Sequence, residues 1–131
     1  ASIAAHRTTA AAPWYREAMS PAPSRTFADL HVHSTASDGT TAPEALAALA
    51  DAAGVGWLAL TDHDTVAGCD AAAAACRERG IAFVDGVEIS AEGPPGRCHL
   101  LGLGFRPDDP TLRATLERLS AARRERNAKM V

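Results

Sequence analysis

Four of the five histidines in this chain, and most of its loop acids, fall at the ends of strand-like segments, a placement that suits metal ligation. His31 and His33 are two apart in an alternating stretch, so both rings fall on one face of a strand. Asp38 follows in Ser37-Asp38-Gly39. Asp62, His63 and Asp64 come directly after an apolar run that ends at Leu60. Glu88 and His99 stand at two further strand-like segments. Imidazole suits Zn, Fe and Ni, while carboxylate shifts the preference towards Mn and Mg. A His/Asp/Glu set without thiolate points to a catalytic rather than a closed structural site. So many acids and imidazoles converging on one place need cations. Two or more divalent ions a few ångströms apart answer that need, and such clusters also hydrolyse phosphate esters. The candidate ligands are His31, His33, Asp38, His63, Glu88 and His99. Asp29 and Asp64 are expected to orient a ligand imidazole or to act as plain caps. Asp62 is placed with them, and a direct place on a metal stays open for it. His6, isolated near the start, reads as a solvated surface histidine.

The elements that must position these groups alternate regularly. Residues 27–33 read as a strand, with Asp29, His31 and His33 on one face and Ala28, Leu30 and Val32 on the other. Thr41-Ala-Pro-Glu44 has the form of a capping box, with Thr41 as N-cap. The helix it opens is expected to bury Leu46, Leu49 and Ala53 and to stop at Gly54. Residues 57–60 form a short apolar run typical of a strand buried on both faces. A second helix is expected over 67–79, ended by Gly80, then strands at 81–84 with 87–89, and at 98–105. Asp109-Pro110 opens a last helix with Leu112, Leu116 and Leu119 inward. Such repeats imply a parallel sheet with crossover helices, about half of a (β/α) barrel, and strand C-terminal ends that carry the site.

The chain has 131 residues, 47% of them hydrophobic and 5% aromatic, with a formal net charge of −3. That charge gives no general attraction to nucleic acid, so a polyanion would need a local patch or metal ions. The last helix offers one: Arg113, Arg118, Arg123, Arg124, Arg126 and Lys129 stand against Glu117 and Glu125. Arg123 and Arg124 are the candidate phosphate-binding residues, with a plain solvated helix face as the alternative. Cys69, Cys76 and Cys98 include no CxxC pair, and Cys69 and Cys76 read as small buried hydrophobes. No apolar run approaches a membrane span, and residues 1–25 lack a secretory apolar core. A soluble, cytoplasmic protein with no membrane contact and no firm protein partner is expected. Residues 1–25 read as a disordered extension within which Met19 is a candidate start.

Asp29-Leu-His31-Val-His33-Ser, Ser37-Asp38-Gly39 and Leu60-Thr-Asp62-His63-Asp64-Thr resemble the opening motifs of the PHP (polymerase and histidinol phosphatase) superfamily. Gly86-Val-Glu88-Ile-Ser90 and His99-Leu-Leu-Gly102 continue the resemblance in order. It implies a PHP domain over 26–131, a distorted (β/α) barrel with two or three divalent ions (Mn, Fe or Zn). It also implies that His31 and His33 bind one metal and Asp38 and His63 a second, with Glu88 bridging and His99 on a third. The stretch 61–68 with 101–110 is similar to the stand-alone members. These act on nucleoside 3′,5′-bisphosphates or trim short RNA from its 5′ end, so the implied substrate is a phosphorylated small molecule or a short oligonucleotide. Histidinol-phosphate phosphatase is the alternative enzyme. A non-catalytic metal-binding remnant is the alternative of another class. The family's later histidine and Asp-x-His motifs do not occur after His99. The resemblance therefore implies the N-terminal half of the barrel, inactive alone.

Overall fold

Two glycines end the first two helices where the sequence places them. Gly54 (φ 72°) and Gly80 (φ 64°) take up left-handed backbone just past α1 (Pro43–Ala52) and α2 (Cys69–Glu78). The computed structural model describes residues 25, 27–94 and 96–128. The expectations for residues 1–24, Met19 included, and for Lys129 lie outside the described residues. Arg25, the last residue assigned to the extension, is held: it donates to the Val55 carbonyl (3.2 Å) and pairs with Asp51 (2.5 Å).

The strands are β1 (Phe27–Val32), β2 (Val55–Leu60), β3 (Ala82–Gly93) and β4 (Gly96–Leu103), and α3 (Pro110–Ala128) closes the order. They lie side by side as β1-β2-β3-β4. β1, β2 and β3 are parallel, joined through α1 and α2, as a β/α half-barrel requires. β4 departs from the all-parallel expectation: it pairs antiparallel with β3, from Gly86 opposite Leu103 to Gly93 opposite Gly96. The reason is length, since a parallel return needs a crossover of a dozen residues or more and only two residues separate the paired Gly93 and Gly96. The two short segments expected at 81–84 and 87–89 are one twelve-residue strand.

The core lies between α1, α2 and the central strands. Leu46, Ala47 and Ala50 of α1 meet Cys69, Ala72, Ala75 and Cys76 of α2 over Leu58, Leu60, Ile81 and Phe83. Leu58 and Leu60, almost fully buried, contribute about 2 kcal/mol each. Leu49 and Ala53, expected on the buried face with Leu46, are exposed, Leu49 at 58%, because the alanines at 47 and 50 form the face that lets the two helices approach. The expected Thr41 cap is also absent. The N-cap is Ala42, Pro43 starts the helix with its fixed φ, and the Thr41 carbonyl instead accepts from the Thr35 N–H (2.9 Å). Asp109 does cap α3, its Oδ1 accepting from Thr111 N (2.8 Å) and Leu112 N (3.0 Å). Leu116 is the buried leucine of α3, with Leu112 and Leu119 half-buried. Among the described residues no helix is long and apolar enough to cross a membrane.

Candidate metal centre

β1 delivers His31 from within the strand and His33 just past its end, with the two ring centroids 5.2 Å apart. β2 hands over to Thr61-Asp62-His63-Asp64, a buried polar segment that bridges to β3 at His63–Glu88. Glu88 is the centre of the arrangement. Its carboxylate is buried, yet Oε2 lies 3.0 Å from His31 Nε2, 2.7 Å from His33 Nε2 and 3.6 Å from His63 Nε2. Its Oε1 lies 2.5 Å from His99 Nδ1, carried in by β4. Asp38 approaches from the loop, with Oδ1 2.8 Å from His33 Nδ1 and Oδ2 3.5 Å from His63 Nε2. His63 stands edge-on to both His33 and His99, centroids 4.7 and 4.8 Å away.

All six expected donors thus meet, in three overlapping groups: His31/His33/Glu88, His33/Asp38/His63 and His63/Glu88/His99. Within each group the donor atoms lie no more than 4.8 Å apart. Burial holds the His63 imidazole below its usual pKa, helped by the Arg123 guanidinium and opposed by Glu88 and Asp38. That direction favours the neutral ring, the form that offers a lone pair. Burial works against the Glu88 and Asp38 anions as well, but the hydrogen bonds from His31 and His33 and the cationic surroundings keep both carboxyls below the ordinary range. The His33 ring faces a carboxylate at each nitrogen, and a neutral imidazole has one N–H for the two. A cation between ring and carboxylate resolves that conflict, and the donor set fits divalent ions.

The three neighbouring aspartates bond backbone N–H groups and, for Asp62, serine hydroxyls, so that Asp29 and Asp64 follow the capping alternative rather than the ring-orienting one. Asp29 Oδ1 faces only the His31 backbone N–H, at 3.4 Å. Asp62 Oδ1 accepts from Ser34 N (2.8 Å) and Ser37 Oγ (2.5 Å), and its Oδ2 accepts from Ser34 Oγ (2.6 Å). It ties down the loop that carries Asp38. Asp64, at φ 54°, donates its N–H to the Glu88 carbonyl (3.0 Å) and accepts from Ser90 N (2.9 Å), which fixes β3 around Glu88. Ser34, Ser37 and Ser90 were not singled out from sequence, and nothing in their type distinguishes them from loop and strand serines elsewhere. Gly39 is required by space, since a Cβ there would lie 2.5 Å from the His33 carbonyl oxygen.

Of the two arginines, Arg123 reaches the centre: Nη2 donates to Asp38 Oδ2 (3.2 Å) and Nη1 lies 3.9 Å from Asp64 Oδ2. Both Nη1 and Asp64 Oδ2 are buried with no hydrogen-bond partner. Arg124 turns the other way, donating to Ser120 Oγ (2.8 Å) and lining a separate cavity with Asp70 and Arg113.

Imidazoles and carboxylates gathered at the strand ends of a partial β/α barrel define a metal-binding α/β class. Residues 29–122 match the PHP domain, and the chain belongs to that family. It is 47% identical over 98 residues to a 5′-3′ exoribonuclease of Haemophilus influenzae, a match covering 75% of this chain and 36% of that protein. It is 43% identical over 102 residues to a 3′,5′-nucleoside bisphosphate phosphatase of Chromobacterium violaceum, covering 78% and 36%. A solved structure from Bifidobacterium adolescentis, assigned to the metal-dependent phosphoesterases, superposes with a TM-score of 0.74 at 35% identity, covering 79% and 36%. The chain spans about a third of the length of these relatives.

Proposed function

We propose that the protein carrying this chain is a divalent-metal phosphoesterase acting on nucleotides, with a nucleoside 3′,5′-bisphosphate or the 5′ end of a short oligoribonucleotide as substrate. The observation that carries this reading is the six-donor cluster around the buried Glu88, with the Arg123 guanidinium reaching into it. His31, His33, Asp38, His63, Glu88 and His99 would hold two or three ions of Mn, Fe or Zn. Bound there, such ions supply Lewis acidity towards phosphoryl oxygens and lower the pKa of water. The chain's own residues do the rest. Asp62 and the two serines keep Asp38 in place, and Asp64 keeps Glu88 in place. Arg123 has an N–H free of any hydrogen bond and is the group that grips the reacting phosphate, whereas Arg124, turned to a separate cavity, takes no part in that grip. The names of the two curated relatives favour nucleotide substrates over histidinol phosphate. Three free cysteines suit a cytoplasmic setting.

The test is phosphate release by the metal-loaded protein as its gene encodes it, from adenosine 3′,5′-bisphosphate and from histidinol phosphate. Faster release from the bisphosphate is expected. The reverse preference would move the assignment to histidinol phosphatase, and no release from either would favour a non-catalytic remnant.

A further inference from the structure

The face of the β3–β4 hairpin that carries Glu88 and His99 does not end at the metal donors. Ser90 is opposite His99, and Glu92 is opposite Arg97. Alternation therefore sets Glu88, Ser90 and Glu92 in line on β3, with Arg97 one step beyond His99 on β4. That step is about 7 Å along the strand. From the other side comes α3, where Arg126 stands one turn beyond Arg123 and so on the same helix flank. Arg97 and Arg126 converge on a single carboxylate: Glu92 Oε1 is 3.6 Å from Arg97 Nε and 3.8 Å from Arg126 Nη1. Both contacts exceed hydrogen-bond length, so Glu92 gathers the two guanidiniums without using up their donors. Ser90, Glu92, Arg97, His99, Arg123 and Arg126 line a cavity of about 170 Å³. Three arginines against one carboxylate make it cationic, and it shares His99 and Arg123 with the metal centre.

We infer that this cavity is the subsite for a second phosphate of the substrate, with Arg97 and Arg126 as its readers and Glu92 presetting them. The inference rests on the function proposed above. A guanidinium fork matches phosphate oxygens bidentately, and two forks converging on one hollow suit a dianion. One strand step from the metal donors is of the order of the width of a sugar. A second phosphate at that remove occurs on a nucleoside bisphosphate and at the first linkage of a 5′-phosphorylated oligonucleotide. A simple phosphate monoester has none.

The experiment compares kcat/KM of the manganese-loaded protein, as its gene encodes it, on adenosine 3′,5′-bisphosphate, 5′-phosphorylated diadenylate and p-nitrophenyl phosphate. Arg97→Ala and Arg126→Ala should each lower the ratio of a two-phosphate substrate to p-nitrophenyl phosphate by about tenfold, chiefly through KM. Arg97→Lys, which keeps the charge, should recover part of that ratio. Loss on the bisphosphate alone assigns the subsite to nucleoside bisphosphates, and loss on the dinucleotide alone assigns it to the linkage phosphate. A ratio unmoved by both alanine variants, or equal loss on all three substrates, would overturn the inference while leaving the phosphoesterase reading intact. A wild-type protein inactive on all three would overturn that reading and this inference with it.

Discussion

Glu88 shows at the scale of single residues why a buried acid is affordable here. An isolated carboxylate inside a protein is costly, and this one is compensated by imidazole nitrogens from two strands, β1 and β4, and from the segments that follow β1 and β2. Asp62 is the complementary case. It is 1% exposed and touches none of those rings, and three donors from Ser34 and Ser37 converge on its two oxygens. Removing such an acceptor leaves those donors unpaired in a dry place. Asp62→Ala should therefore cost about 3 kcal/mol of stability by chemical denaturation, with Asp62→Asn intermediate because it keeps one acceptor. Metal affinity should fall in step, since the same bonds hold the Asp38 loop. An Asp62→Ala protein as stable as wild type would show that the loop holds itself.

At the scale of elements, β3 does two jobs along its twelve residues. Its first half completes the parallel sheet against β2, and its second half carries Glu88 and pairs with β4 to bring in His99. Helix α2 is more conventional, with Cys69 and Cys76 turned into the core. Burial pushes the Cys69 thiol up to about 12, aided by nearby Asp85, and burial pushes Cys76 up to about 11. Cys98, on β4, is exposed. A thiol reagent at neutral pH should thus modify Cys98 quickly and reach Cys69 and Cys76 only after denaturant is added. Rapid reaction of all three in the folded protein would contradict the packing of α2. The helices were legible in the sequence from their glycine stops and the Asp109 cap. The direction of β4 was not inferred, although the short link after β3 carried the signal. Leu49 was misplaced because alanine, small and neutral in a periodicity count, is the residue that makes the helix contact.

Over the whole molecule, the metal-ligand candidates were legible because histidine and acid at strand ends have few other reasons to cluster. The bonds that steady them were not, since neither the partner of a serine hydroxyl nor the direction of a backbone N–H is written in a sequence. The reach of Arg123 across 85 residues to Asp38 was likewise visible only in three dimensions. The sheet leaves apolar side chains uncovered at both ends, with Phe27 67% and Leu100 57% exposed, as suits a partial barrel spanning about a third of its relatives' length. What the strands have in common is the donor cluster to which β1, β3, β4 and the segments after β1 and β2 contribute. Its purpose is measured most directly by elemental analysis of the protein, purified without chelator and reconstituted with Mn²⁺, Fe²⁺ or Zn²⁺, beside its Glu88→Gln variant. About two or more divalent ions per chain are predicted for the wild type, with at least half of them lost in the variant. Less than about one ion per wild-type chain after reconstitution, or a Glu88→Gln protein with undiminished metal content, would contradict the assignment.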